Sequence, residues 1–262
     1  MPFISRAEVR YLTFDIFGSE VIHAVFTRRG GVSPKPWASL NLGGTVGDDP
    51  ARVAENRRRA FAALGRDPAS LYDVWQVHGT HVAVAEAPRL PAAPYLQADA
   101  IATDRPHLTL VMRFADCAPL LFYDPEHRVI ALAHAGWMGT INDVTGATVA
   151  ALRARFGTQP ASLLAAIGPS IGPDHYEVGP DVVLQARQRF GSESSAVLLA
   201  RNGRIYFDLW AANRLLLERA GVRQIEVAGL CTACHVDDWY SHRFEQGRTG
   251  RFGVLMALRE RG

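Results

Sequence analysis

Three residues far apart in the chain could together hold a metal ion: His78, Cys117 and His134. Each stands at the end of a short apolar run, where sheet proteins collect functional groups on the following loop. His78 ends the run 74–77 and meets Gly79, Cys117 sits in a turn between two apolar stretches, and His134 ends the run 129–133. Gly136 and Gly139 follow His134 and allow close backbone approach. Imidazole nitrogen and thiolate sulfur are favoured ligands of Zn2+, and three protein ligands leave a fourth position open for chemistry. Taken singly, each residue reads as a buried, hydrogen-bonded His or Cys; only the set reads as a metal site. Asp116, beside Cys117, is the nearest carboxylate to a ligand. It could support that ligand or shuttle a proton, or it could cap the turn.

The same residues admit a different chemistry. Cys117 could act as a nucleophile with His134 as its base, a hydrolase arrangement in which the thiolate carries no metal. Cys231-Thr-Ala-Cys-His235 matches the haem-attachment string, but attachment requires export, and no second Cys pair completes a zinc ribbon. It reads as an ordinary pair of cysteines after a strand. His81 is expected on the opposite strand face from His78 and is not counted as a ligand.

The elements that must position these residues are short. Strand-type runs are expected at 11–17, 21–27, 74–77, 80–85, 100–103, 108–113, 120–124, 129–133, 163–167, 204–208 and 224–229. Several are continuously apolar, the pattern of strands buried on both faces. Helical periods cover 50–64, 140–156, 180–190 and 208–220. Asp49-Pro50 and Asp208 provide starts, and Gly157, Gly191 and Gly221 provide stops. Strands mixed with helices indicate an α/β or α+β fold with a mixed sheet core. The three-proline segment 88–94 reads as a loop within one domain.

Composition narrows the classes. A chain of 262 residues with 48% apolar residues can bury a large core. A net charge of +2 gives no electrostatic case for nucleic acid or an anionic membrane. Three cysteines exclude a full disulfide framework and fit a reducing compartment. The first ten residues have no apolar signal region, and no apolar run spans a bilayer, so a cytoplasmic protein is expected.

Short strings spread along almost the whole chain add a family resemblance. They include Phe26-Thr-Arg-Arg-Gly-Gly-Val-Ser33, Gln76-Val-His-Gly79, Ala98-Asp-Ala100, Ala115-Asp-Cys117, His134-Ala-Gly-Trp137, Tyr176-Glu-Val178, Leu230-Cys-Thr232 and Gly247-Arg-Thr-Gly-Arg251. With these the chain resembles the YfiH-type laccase-domain family, also called polyphenol oxidase-like, peptidoglycan editing factor or purine nucleoside phosphorylase. The resemblance implies an α+β single domain, residues 1–262, of mixed sheets flanked by helices, with a metal on His78, Cys117 and His134. It implies phosphorolysis of adenosine, inosine and methylthioadenosine, with adenosine deamination. The older family naming implies a copper-dependent phenol oxidase, and the editing name implies a hydrolase acting on peptidoglycan precursors. The chain has no His-X-His and no His-Cys-His string, which argues against a multicopper oxidase. The cofactor is therefore expected to be Zn2+, with Cu2+ as the alternative, and the partners a purine nucleoside and phosphate.

Three family features are replaced. The family's Ser-Tyr-Arg-Arg string near the end appears as Ser241-His242-Arg243-Phe244. Met138 stands where the family continues His-Ala-Gly-Trp with Arg. Ser170 and His175 stand where it often has Cys. An anion site lacking that Arg could use Arg57, Arg28 or Arg113, and Asn41 could orient ribose or phosphate.

Overall fold

The protein, as a computed structural model, is described over residues 1–90 and 92–260; Pro91, within the expected loop 88–94, lies outside the described residues. In chain order the strands are β1 (Phe3–Arg6), β2 (Val9–Leu12), β3 (Val21–Phe26), β4 (Leu71–Asp73), β5 (Val82–Val84), β6 (Ala100–Thr103) and β7 (Thr109–Phe114). They continue as β8 (Ala118–Asp124), β9 (Val129–Ala135), β10 (Leu164–Ile167), β11 (Leu198–Arg201), β12 (Arg204–Phe207), β13 (Gln224–Val227) and β14 (Phe252–Leu258). The helices are α1 (Pro50–Ala63), α2 (Trp137–Ile141), α3 (Val144–Phe156), α4 (Pro180–Phe190), α5 (Ser194–Val197) and α6 (Leu209–Arg219).

Continuous apolar strands must be covered on both faces, and the topology does this with layers. One mixed sheet runs β1-β2-β3-β14-β7-β4 and the other β13-β10-β8-β9-β6-β5. Their facing sides share one core, in which Met112, Phe114 and Val254 of the first sheet meet Leu121, Ile130 and Leu132 of the second. The outer face of the first sheet is covered by Phe61 and Ala60 of α1 against Phe26 and Leu255. The outer face of the second is covered by Val144 and Leu152 of α3 and Leu217 of α6. This is an α+β fold with helices flanking mixed sheets. β8, β9 and β14 are buried at every position, as unbroken apolar runs require.

The helix starts follow the expected caps. Asp49 accepts from the Ala51 amide with Pro50 in the first turn, and Asp208 accepts from the Ala211 amide. The expected helix 140–156 is instead two helices. Asp143 adopts φ +67 and caps α3 through the Gly146 amide, so the break falls at a residue that supplies its own N-cap.

Four other expectations change. The run 11–17 is not one strand: β2 ends at Leu12, and Asp15–Phe17 form a 3-10 turn closed by the Gly18 amide on the Asp15 carbonyl. The run 74–77 is no regular strand: β4 ends at Asp73, and beyond it Trp75 makes only an isolated bridge to Gln97. The run 204–208 contributes β12, which pairs with β11 in a separate two-stranded hairpin. β14, unassigned from sequence, is central in the first sheet, between β3 and β7.

Candidate metal centre

Strand register assembles the centre. β8 pairs with β9 so that Ala118 faces Ala135 and Pro119 faces His134, which puts Cys117 beside His134. β6 pairs with β9 on its other side, and the His134 amide donates to the Asp99 carbonyl at 2.8 Å. Asp99 therefore stands next to His134 before any side-chain contact is considered. Its carboxylate, fully buried, then accepts from the amides of Val77, His78 and Gly79 at 3.0, 2.9 and 2.7 Å. These three bonds draw the segment after β4 out of its sheet, which is why no strand forms at 74–77. They also hold His78 at φ +62, an unfavourable conformation for a non-glycine residue. His78 thus lies in a loop clamped by Asp99, not at a strand end.

The result brings one ligand atom each from His78, Cys117 and His134 to within 4.8 Å of one another. The His78 and His134 rings meet edge to face with centroids 4.9 Å apart. Gly136 is required by space: a Cβ there would lie 2.8 Å from Cys117 Sγ and 3.2 Å from His78 Cδ2. His134 is backed by Asp99, whose Oδ1 lies 2.9 Å from His134 Nδ1. That carboxylate–imidazole bond orients the other ring nitrogen toward Cys117, as is usual for metal-binding histidines. Two imidazoles and a thiolate, so backed, fit a zinc-class cation.

Proton distribution follows from the same contacts. Burial alone would raise the Cys117 thiol, but the adjacent His134 and His78 outweigh it and bring it down to about 6. Burial alone would lower His134, but the Cys117 thiolate and Asp99 outweigh it and bring it up to about 9. Without a cation, Cys117 and His134 therefore form a thiolate–imidazolium pair near neutral pH.

Asp116 is brought to the centre in a fixed role. It adopts φ +82; Oδ1 accepts from Thr232 Oγ1 and Oδ2 from the Arg243 amide, both at 2.6 Å. With both oxygens engaged, it ties the Cys117 turn to two distant segments.

The three expected substrate residues lie in different settings. Asn41 is fully buried: its Oδ1 accepts from the Gly43 and Arg251 amides, and its Nδ2 donates to Gly43 O and Asp48 Oδ2. Its side chain shapes the loop and holds Arg251 in place. Arg28 donates to the carbonyls of Ala38 and Val236 and to Glu245, and stacks on Tyr240. Arg57 is half-buried and donates twice to Leu42 O. Burial, and next the charge of Arg113, lower the proton affinity of its guanidinium. Arg113 itself pairs with buried Asp73, which also takes Arg89. Met138 is solvent-exposed on α2.

Gly136 makes the close approach expected of it from sequence, whereas Asp99, Tyr176 and Arg251 were not expected at the centre. Arg251 is half-buried and within electrostatic reach of Cys117 and Asp116. Tyr176 is held neutral, by burial first and by the Cys117 charge second. Asp99, Tyr176 and Arg251 each fall in one of the strings that carry the family resemblance, which was their only sequence signal.

Fold and site together define a mixed-sheet α+β protein with an open His–Cys–His cluster suited to a metal. The profile of a family described as multi-copper polyphenol oxidoreductase laccase matches residues 22–259, and the chain belongs to this YfiH-type family. A purine nucleoside phosphorylase from Deinococcus radiodurans is 43% identical over 92% of this chain and 90% of its own. Purine nucleoside phosphorylase YlmD from Bacillus subtilis is 36% identical over 92% and 90%. The crystal structure of YlmD from Geobacillus stearothermophilus superposes with a TM-score of 0.92 at 34% identity, covering 98% of this chain and 99% of that one. Among the described residues, no helix is long and apolar enough to cross a membrane.

Proposed function

We propose that this chain is a zinc-dependent purine nucleoside phosphorylase acting on adenosine, inosine and methylthioadenosine, with adenosine deaminase activity. The observation that carries the proposal is the Asp99-backed cluster of His78, Cys117 and His134, with Arg251 in electrostatic reach of Cys117. The relatives named purine nucleoside phosphorylase support the substrate class.

Phosphorolysis requires phosphate to be held against the anomeric carbon and the departing purine to be protonated or polarised. His78, Cys117 and His134 would hold the zinc, which when bound supplies Lewis-acid polarisation of an oxygen. Arg251 and Arg57 are assigned to the phosphate, whose charge and shape a guanidinium matches. Tyr176, kept neutral, retains a proton on Oη that it can donate to the leaving base. Asp116 positions Cys117 through its bonds to Thr232 and Arg243.

A second reading is favoured by the thiolate–imidazolium pair: a metal-free hydrolase in which His134 has taken the Cys117 proton as base, leaving a thiolate nucleophile and an imidazolium that can return the proton to the leaving group. One experiment separates the two. Adenosine is incubated with and without phosphate, products are resolved by chromatography, and zinc and copper are measured on the same sample. Ribose 1-phosphate and adenine, formed only with phosphate and lost with the zinc in Cys117→Ala, are the expected outcome. Inosine formed without phosphate reports the deaminase. A full zinc site with no nucleoside turnover overturns the proposal, and copper in place of zinc overturns its cofactor.

A further inference from the structure

Four residues outside this centre also converge. Asp174 and His175, from the segment after β10, meet Cys231 and Cys234, from the segment after β13, with one ligand atom each within 4.8 Å of the others. His175 Nδ1 lies 3.5 Å from Cys234 Sγ and 3.7 Å from Cys231 Sγ. Asp174 Oδ2 lies 3.3 Å from Cys234 Sγ and 3.2 Å from His175 Nδ1.

Hydrogen bonding does not account for this convergence. One imidazole nitrogen carries at most one proton, yet Nδ1 faces two sulfurs and a carboxylate oxygen at once. The separations are instead those of a tetrahedral cation shell. Zinc bonds of about 2.3 Å to sulfur and about 2.0–2.2 Å to nitrogen and oxygen place neighbouring ligands roughly 3.3–3.8 Å apart. A Cys-X-X-Cys pair with one further imidazole and one carboxylate is a donor set that zinc accepts. The Gly172 amide also donates to Cys231 Sγ at 3.2 Å, which fixes where that sulfur points.

We propose that Asp174, His175, Cys231 and Cys234 form a second metal site, structural in type, for a zinc-class divalent cation. All four positions are filled by protein, which closes the shell to substrate. Its effect is on the first centre. Ile171, just before Asp174, donates its amide to the Asp116 carbonyl, and Thr232, just after Cys231, donates its hydroxyl to the Asp116 carboxylate. Ser170 and Cys231 form a bridge between the two segments. A cation tying these segments together therefore fixes the two grips on Asp116, and through it the turn that presents Cys117.

The test is a metal count on protein purified under reducing conditions, saturated with zinc and then desalted. The wild type is expected to hold two zinc ions per chain, Cys117→Ala one, Cys234→Ser one, and the double variant none. Cobalt loaded into Cys117→Ala is expected to give a thiolate-to-cobalt absorption band, which Cys234→Ser on that background removes. One ion in the wild type and none in Cys117→Ala overturns the site, even if Cys234→Ser fails to fold. Retention of zinc by the double variant overturns it in favour of adventitious binding. A Cys231–Cys234 disulfide in place of metal in freshly isolated protein overturns it too. One ion in both wild type and Cys117→Ala, and none in Cys234→Ser, upholds this site and removes zinc from the first centre instead, so the two proposals fail separately.

Discussion

Asp99 Oδ1 contacts His134 Nδ1 and accepts from the His78 amide, both at 2.9 Å. One buried oxygen atom thus orients two of the three candidate ligands. Asp99→Asn keeps the volume but removes the charge that favours the proton on His134 Nδ1. Zinc affinity is expected to fall about 10- to 100-fold, the usual cost of losing a partner behind a ligand. Competition against a chromophoric chelator measures it, and an unchanged affinity would remove Asp99 from the centre's design.

Gly136→Ala tests the space inside the cluster. Gly136 has φ −74, which alanine adopts freely, so any effect comes from the added methyl group meeting Cys117 Sγ and His78 Cδ2. The crowding is expected to cost about 1–3 kcal/mol of stability and to expel the metal. Thermal melting with metal analysis checks both, and full zinc occupancy would contradict the geometry.

The metal-free protein has a defined pH signature. Cys117, lowered from 9.0 to about 6, adds stability that is full above 9 and lost as pH falls through about 6. His134, raised from 6.5 to about 9, adds stability that is full below 6.5 and lost as pH rises through about 9. Between those limits the two slopes oppose and cancel, so the pair gives no net pH dependence of unfolding there. Alkylation of Cys117, by contrast, is expected to persist down to about pH 6 and to require higher pH in His134→Gln. An ordinary thiol profile in the wild type would show that the pair does not exist.

Arg57 and Arg28 are both arginines suggested by sequence, and they should behave differently. Arg57→Met is expected to raise the KM for phosphate about tenfold or more, with zinc content unchanged, since a charge-assisted hydrogen bond contributes about 1.5–3 kcal/mol. Arg28→Met loses bonds to Ala38, Val236 and Glu245, and is expected to lower the melting temperature with the phosphate KM unchanged. Equal effects on phosphate KM would withdraw Arg57's assignment.

Sequence by itself determined which side chains could ligate and which runs must be buried. His78, Cys117 and His134 could be singled out as a candidate donor set because two imidazoles and a thiol stand at the ends of apolar runs, and the fold brings the three together. The core strands β8 and β9 were legible because an unbroken apolar run has few places to go but between two layers. Helix starts at Asp49 and Asp208 were legible because capping is settled within a few residues. Only the tertiary structure decided what stands around those ligands. Asp99 becomes a neighbour of His134 through the register of β6 on β9, and its carboxylate overrides the strand tendency of 74–77. β14 takes its place through pairing with β3 and β7, and the turn before it sets Arg251 within electrostatic reach of Cys117. Cys231 and Cys234 read as an ordinary pair until the fold sets Asp174 and His175 against them. In each case the deciding contact joins segments far apart in the chain, and no local propensity or spacing encodes a contact that exists only once the sheets have formed.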